Sequence, residues 1–187
     1  TISSRSSIHD WTIRAHRHRN LFQVLLIEKG GGELSFETAT ARFSAPALIL
    51  VPATTAHGFR FTPEVTDGWV VSFTEDVADA LGDQSGEALA RLKAVATEPL
   101  LPLAKAGEAK RLSALCADLH EESAVAREGY RLAMRGLLAL IAIEVVRLAV
   151  SRARSGAVTL SRSDARVDEL RRLVDEHFRK ERLISFY

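Results

Sequence analysis

Two periodicities divide the chain. Up to about residue 74, apolar and polar residues come in short alternating or unbroken runs separated by Gly, Pro, Asn and Thr. That pattern predicts strands over 8–13, 22–28, 33–37, 42–44, 47–51, 57–61 and 68–73. Gln23, Leu25 and Ile27 share one strand face, as do His57, Phe59 and Phe61. Ala47-Leu48-Ile49-Leu50-Val51 is apolar throughout, so that strand is expected to be buried on both faces. Gly30-Gly31-Gly32 supplies the conformational freedom of a tight hairpin turn. Seven short strands with turns every 8–12 residues suggest a small barrel or sandwich.

From Thr74 the apolar residues recur every three or four positions. Thr74 is a suitable N-cap, with Glu75 and Asp76 in the first turn of a short helix ending near Leu81. A second helix is expected over 86–96, before Pro99 and Pro102. Leu112, Leu115, Cys116 and Leu119 then mark an amphipathic helix over 106–127. After Gly129 a helix over 130–153 carries Met134, Leu137, Leu138, Ile141, Val145 and Leu148. This second arm of a helical hairpin is apolar nearly all round between 137 and 150, so more than one of its faces must be covered. A dimer partner could cover the second face, with Leu137, Leu138, Ile141, Val145 and Leu148 as the expected dimerisation residues, though one domain could also cover it. Residues 154–163 lack periodicity and read as a linker. Beyond it, Val167, Leu170, Leu173, Val174 and Phe178 form a further helical stripe that needs something to pack on.

The 187 residues suffice for one domain and part of another. No apolar run approaches the roughly 20 residues of a membrane span, and the first residues lack a signal-peptide apolar core. The lone Cys116 excludes an internal disulfide and fits a reducing, cytoplasmic setting. Net charge is +1, but residues 147–187 hold 10 Lys/Arg against 6 Asp/Glu, while residues 1–146 hold 15 against 18. The basic end reads either as a solvated helix or as the edge of a nucleic-acid-binding region.

The polar signal sits in Arg14-Ala15-His16-Arg17-His18-Arg19-Asn20-Leu21-Phe22-Gln23. In an extended strand Arg14, His16 and His18 share one face. Further on comes Pro52-Ala53-Thr54-Thr55-Ala56-His57. The pair resembles the two motifs of the cupin barrel. His16, His18, Gln23 and Gly30 take the places of the first, and Pro52 and His57 those of the second, with Thr54 where glycine is usual.

With the helical hairpin, the linker and the final helix (Val-Asp-Glu-Leu-Arg-Arg-Leu-Val-Asp-Glu-His-Phe), the order is similar to that of AraC/XylS-type transcription regulators. The resemblance implies an α+β chain. Residues 1–74 would form a small cupin-like antiparallel β-barrel that binds an effector, and 75–153 a helical region with the dimerisation hairpin. Residues 154–163 would be a linker, and 164–187 the first helix of an incomplete helix-turn-helix domain that binds DNA. The segment from His9 to Val24 is also similar to the branch that responds to 4-hydroxybenzoate. A non-enzymatic homodimer without cofactor, sensing a small aromatic carboxylate such as 4-hydroxybenzoate or 3-hydroxybenzoate, follows from that resemblance.

Such an effector needs a donor fork for its carboxylate, apolar walls for its ring and a polar group for its hydroxyl. The expected ligand-binding residues are Arg14, His16, His18, Gln23, Leu25, His57, Phe59 and Trp69. Arg14 is the expected carboxylate partner because a guanidinium binds bidentately. His16, His18, Gln23 and His57 have a second reading, as ligands of a divalent first-row ion. On that reading the chain is a metal-dependent cupin enzyme, a dioxygenase or isomerase.

Overall fold

A computed structural model describes residues 1–2, 10–74, 77, 87–103 and 106–154. Within them the chain runs β1 (Thr12–His16), β2 (Leu21–Lys29), β3 (Gly31–Phe36), β4 (Ala39–Ser44), β5 (Ala47–Val51), β6 (His57–Phe61) and β7 (Asp67–Thr74). It continues through α1 (Glu87–Val95), β8 (Leu100–Pro102), α2 (Ala106–Val125) and α3 (Tyr130–Arg154). The expected linker from residue 155, the last helix, most of the short helix after Thr74 and the start of the first expected strand lie outside the described residues.

The strands form two four-stranded antiparallel sheets, ordered β1-β6-β3-β4 and β7-β2-β5-β8. The chain is α+β, as expected, but the sheets do not close into a barrel. The expected glycine hairpin is also absent: β2 and β3 do not pair, and each belongs to a different sheet. Gly30 alone, at φ 71°, carries the chain from one sheet to the other. A Cβ there would sit 2.6 Å from Thr66 Oγ1. That buried hydroxyl accepts from Gly31 N–H (3.1 Å) and donates to Gly31 C=O (2.7 Å), filling the bonds the crossover leaves open. The sequence signal for a turn was sound; which strands it joined was a tertiary matter.

Strand alternation produces two cores. Leu25, Ile27, Leu34, Ala47, Ile49, Val51, Phe59 and Phe61 are buried between the sheets. Phe22, Val24, Leu26, Leu48, Leu50, Val71 and Phe73 point the other way and pack with Leu92 of α1, Leu112 and Cys116 of α2, and Ile141 and Val145 of α3. Strand β5 is buried at every position because both its faces are covered. Burial, with Glu28 nearby, pushes the Cys116 thiol up to about 12, so it stays protonated as a core residue. Strand β8 was not expected. It pairs only with β5 at the sheet edge, where Pro102 costs no ladder bond to a further neighbour. Residues on either side of 74 thus share one sheet and one core.

Helices α2 and α3 are antiparallel partners, tied by Arg111–Glu144 (3.2 Å) and Arg152–Glu108 (3.3 Å). Four of the five expected dimerisation residues prove to be internal. Leu138, Ile141, Val145 and Leu148 are buried in the core that the helices share with the second sheet, and Leu137 is half-buried. A helix turns its most continuous apolar stripe to its own core first. What remains exposed on α3 is Leu132, Leu140, Ile143 and Val150. No helix among the described residues is long and apolar enough to cross a membrane.

Candidate functional site

Three histidines meet at one end of the sandwich. His57 opens β6 and lies opposite His16, the last residue of β1. Between Ile13, which faces Phe59, and His16, which faces His57, β1 carries one residue more than β6. This bulge turns His16 onto the face that Ile13 occupies, and leaves Arg14 exposed. The expected common face of Arg14, His16 and His18 therefore does not form: plain alternation fails where an extra residue enters the ladder.

His18 follows in the loop after β1. Its carbonyl accepts the Thr54 N–H (2.7 Å), which ties that loop to the one preceding β6. The second loop is held again at Ala56, whose N–H donates to Glu37 Oε1 (3.2 Å) and whose carbonyl accepts the Glu37 N–H (2.8 Å). Thr54 has φ 65°, a left-handed conformation that a β-branched residue rarely adopts. A glycine would adopt it freely, so Thr54 is a strained position.

The rings pack closely: centroids lie 4.4 Å apart for His16 and His57, 4.7 Å for His16 and His18, and 5.5 Å for His18 and His57. One nitrogen from each falls within 4.8 Å of the other two. The backbone decides the tautomers. His57 Nδ1–H donates to Thr55 C=O (2.9 Å) and His16 Nδ1–H to Arg14 C=O (2.8 Å). In the neutral rings Nε2 of each is then a bare lone pair. His18 Nε2 lies 3.1 Å from His16 Nε2 and donates to it. His57 Nε2 is buried and, among the described residues, has no hydrogen-bond partner.

Burial and mutual repulsion disfavour charge on two of the rings. His57 is held below the ordinary imidazole pKa chiefly by burial, against the pull of its Thr55 bond and with repulsion from His16 and His18. His18 is lowered by burial and by His16. A cluster of neutral imidazoles presents lone pairs rather than positive charge. Such lone pairs suit a metal ion or a hydroxyl donor.

The other expected site residues divide. Phe59 lies beside His57 (5.9 Å, edge to face) and stacks on Phe61. Leu25 is buried deeper in the same core. Gln23 donates its amide N–H to Ser72 Oγ at 3.1 Å. Trp69 belongs to the opposite side: it packs with the helical core, and its indole N–H donates to Ser113 Oγ (3.3 Å). Trp69 and Phe59 therefore do not wall one site. Alternation along β7 sends Trp69, Val71 and Phe73 to the helices and Val70 between the sheets.

Arg60, Glu33 and Arg42 were not among the expected site residues. The register places Arg60 and Arg42 on either side of Glu33. They line a shallow cleft of about 510 Å³ with Phe43, Ser44 and Thr62. No sequence signal links these residues, because cross-strand neighbours are set by pairing. The Arg60–Glu33 pair (3.6 Å) is largely exposed and adds little stability. No protein-family model matches this chain, and no curated protein sequence does either.

Proposed function

We propose that this chain is the ligand-sensing and dimerisation part of a bacterial DNA-binding transcription regulator of the AraC/XylS type. Its effector is a small aromatic carboxylate, 4-hydroxybenzoate or 3-hydroxybenzoate. One observation supports the sensing half most directly. Three imidazoles converge at the end of an otherwise apolar sandwich, and the buried His57 Nε2 among them is unpartnered within the described residues. A buried polar atom left open calls for a partner. Phe59 beside it offers an aromatic face to the ring.

The mechanism is a population shift. Effector bound at the histidines where β1 and β6 meet favours one arrangement of the first sheet, and the second sheet shares its core with α2 and α3. A ligand that contacts both arrangements equally would switch nothing. Two copies pair through the exposed Leu132, Leu140, Ile143 and Val150 of α3. DNA binding belongs to residues outside those described. Calorimetric titration of both hydroxybenzoates tests the reading. Saturable binding that His57→Ala abolishes supports it, and no heat from either acid sinks it.

The three-imidazole geometry also favours the enzyme reading, a metal-dependent dioxygenase or isomerase. Turnover of a bound aromatic acid by metal-loaded protein would select it over the sensor.

A further inference from the structure

We propose that the edge strand β4 (Ala39–Ser44) docks an extended acidic segment of a partner protein, which joins the first sheet as a further strand with a carboxylate against Arg42. The surface is separate from the histidines, and nothing in it rests on the sensing reading.

The ladder shows which main-chain groups are on offer. Strands β3 and β4 pair from Gly31–Ser44 to Phe36–Ala39 without a shift. The Ala45 N–H donates to Gly30 C=O (2.9 Å), so this opposed pair is hydrogen-bonded. Bonded and non-bonded pairs alternate along an antiparallel ladder. Ala39, Ala41 and Phe43 therefore bond to β3, while Thr40, Arg42 and Ser44 turn their N–H and C=O groups outward. The other flank of β3 agrees. Gly31 C=O accepts from Thr62 N–H and Glu37 N–H donates to Ala56 C=O, so the odd-numbered residues of β3 face β6. Strand β4 ends its sheet, and no strand among the described residues takes up its outward groups. Thr40, Arg42 and Ser44 are all exposed. The other edges are poorer templates. The ladders of β1 and β7 each carry a register shift, and β8 has three residues, one of them Pro102.

Charge then selects the occupant. Arg42 and Arg60 flank Glu33 across the sheet. Glu33 contacts Arg60 at 3.6 Å, and among the described residues Arg42 has no ionic partner. A carboxylate on the added strand extends the alternation of sign by one place, to acid, Arg42, Glu33, Arg60. The shallow cleft over Arg42, Ser44 and Thr62 leaves room for that side chain. Phe43 points into the core between the sheets, so the residues of the added strand on that side are apolar. A second copy of β4 fits badly. Outward-bonding residues pair with one another, so two antiparallel copies set Arg42 opposite Arg42, or diagonal to it when Thr40 or Ser44 stands opposite. Both placements bring like charges together.

The test uses the full chain and two blocked fluorescent peptides of about seven residues, long enough to span β4. One alternates valine with glutamate, the other valine with lysine, and anisotropy follows binding. The glutamate peptide should bind saturably, and about fivefold or more tighter than the lysine peptide. Arg42→Glu, at an exposed position, should reverse the preference, and Arg42→Gln should abolish it, with circular dichroism unchanged in both. N-methylating every second amide of the glutamate peptide should remove binding in one phase and spare it in the other, because only alternate amides face β4. No binding of the glutamate peptide overturns the proposal, as does equal binding of both peptides by the parent chain. An equal loss in both methylation phases overturns strand addition. A dimer of the chain that Arg42→Glu dissociates gives the edge to a second copy, and overturns the acidic partner.

Discussion

His57 concentrates the chemistry of the described residues. It is 1% exposed, its Nδ1 is committed to Thr55, and its Nε2 waits for a partner. Burial and two neighbouring histidines disfavour its charged form in the folded chain. In the unfolded chain it titrates near the ordinary value of about 6.5. Above that value both states are neutral and nothing is lost. As pH falls below it, the unfolded chain takes up protons that the folded chain resists, so stability drops until the folded value is reached. His18 acts in the same direction. Thermal melts of chelated protein between about pH 8 and pH 5.5 should show the midpoint falling on the acid side, and less steeply in His57→Asn. A midpoint independent of pH over that range would mean the cluster is already paired or charged.

At the scale of elements, the bulge in β1 and the burial of α3 carry the argument. The bulge brings His16 onto the inner face that Ile13 occupies, while Arg14, next to Ile13, faces outward by simple alternation. In α3 the partition is equally sharp. Ile141 is 1% exposed and Ile143, two residues on, is 45%. If the outer stripe pairs two copies, Ile143→Lys places a charge in each copy's half of the interface. Light scattering should then show monomer where the parent is a dimer, while the melting midpoint of the monomer unit barely moves. Monomer in both proteins would discard α3 as the pairing surface. Leu138→Lys makes a poor substitute test, because that side chain belongs to the internal core and its loss reads as unfolding.

Across the whole molecule, the second sheet is the shared wall. Its inner residues pack against the first sheet and its outer residues against the helices, so the site and the hairpin are joined through one layer of strands. Removing part of the outer core should therefore destabilise the whole described unit. Ile141→Ala is expected to cost about 2–5 kcal/mol. Because the layers share β2 and β5, circular dichroism of the helices and fluorescence of Trp69 should report one common transition. Two separated transitions would mean that helices and sheets unfold independently.

Much of this architecture was legible in the residues themselves. Strands 47–51 and 57–61, the helical hairpin and the buried Cys116 follow from local periodicity, whereas the meeting of His16 and His18 with His57 was implied only by the resemblance of their two motifs. Such features depend on which residues alternate within a few positions, and those are properties of a single segment. What periodicity could not reach was every choice made between segments. These include the split into two sheets, the crossover at Gly30, the edge strand β8, the Arg60–Glu33–Arg42 row and the side of the sheet that Trp69 faces. The bulge that brings His16 to the inner face belongs with them, since an extra residue is visible only against the strand it pairs with. Segment-scale structure is set by side-chain period and backbone conformation. Which faces meet is set by competition for burial among all segments at once, and only the folded chain resolves that competition.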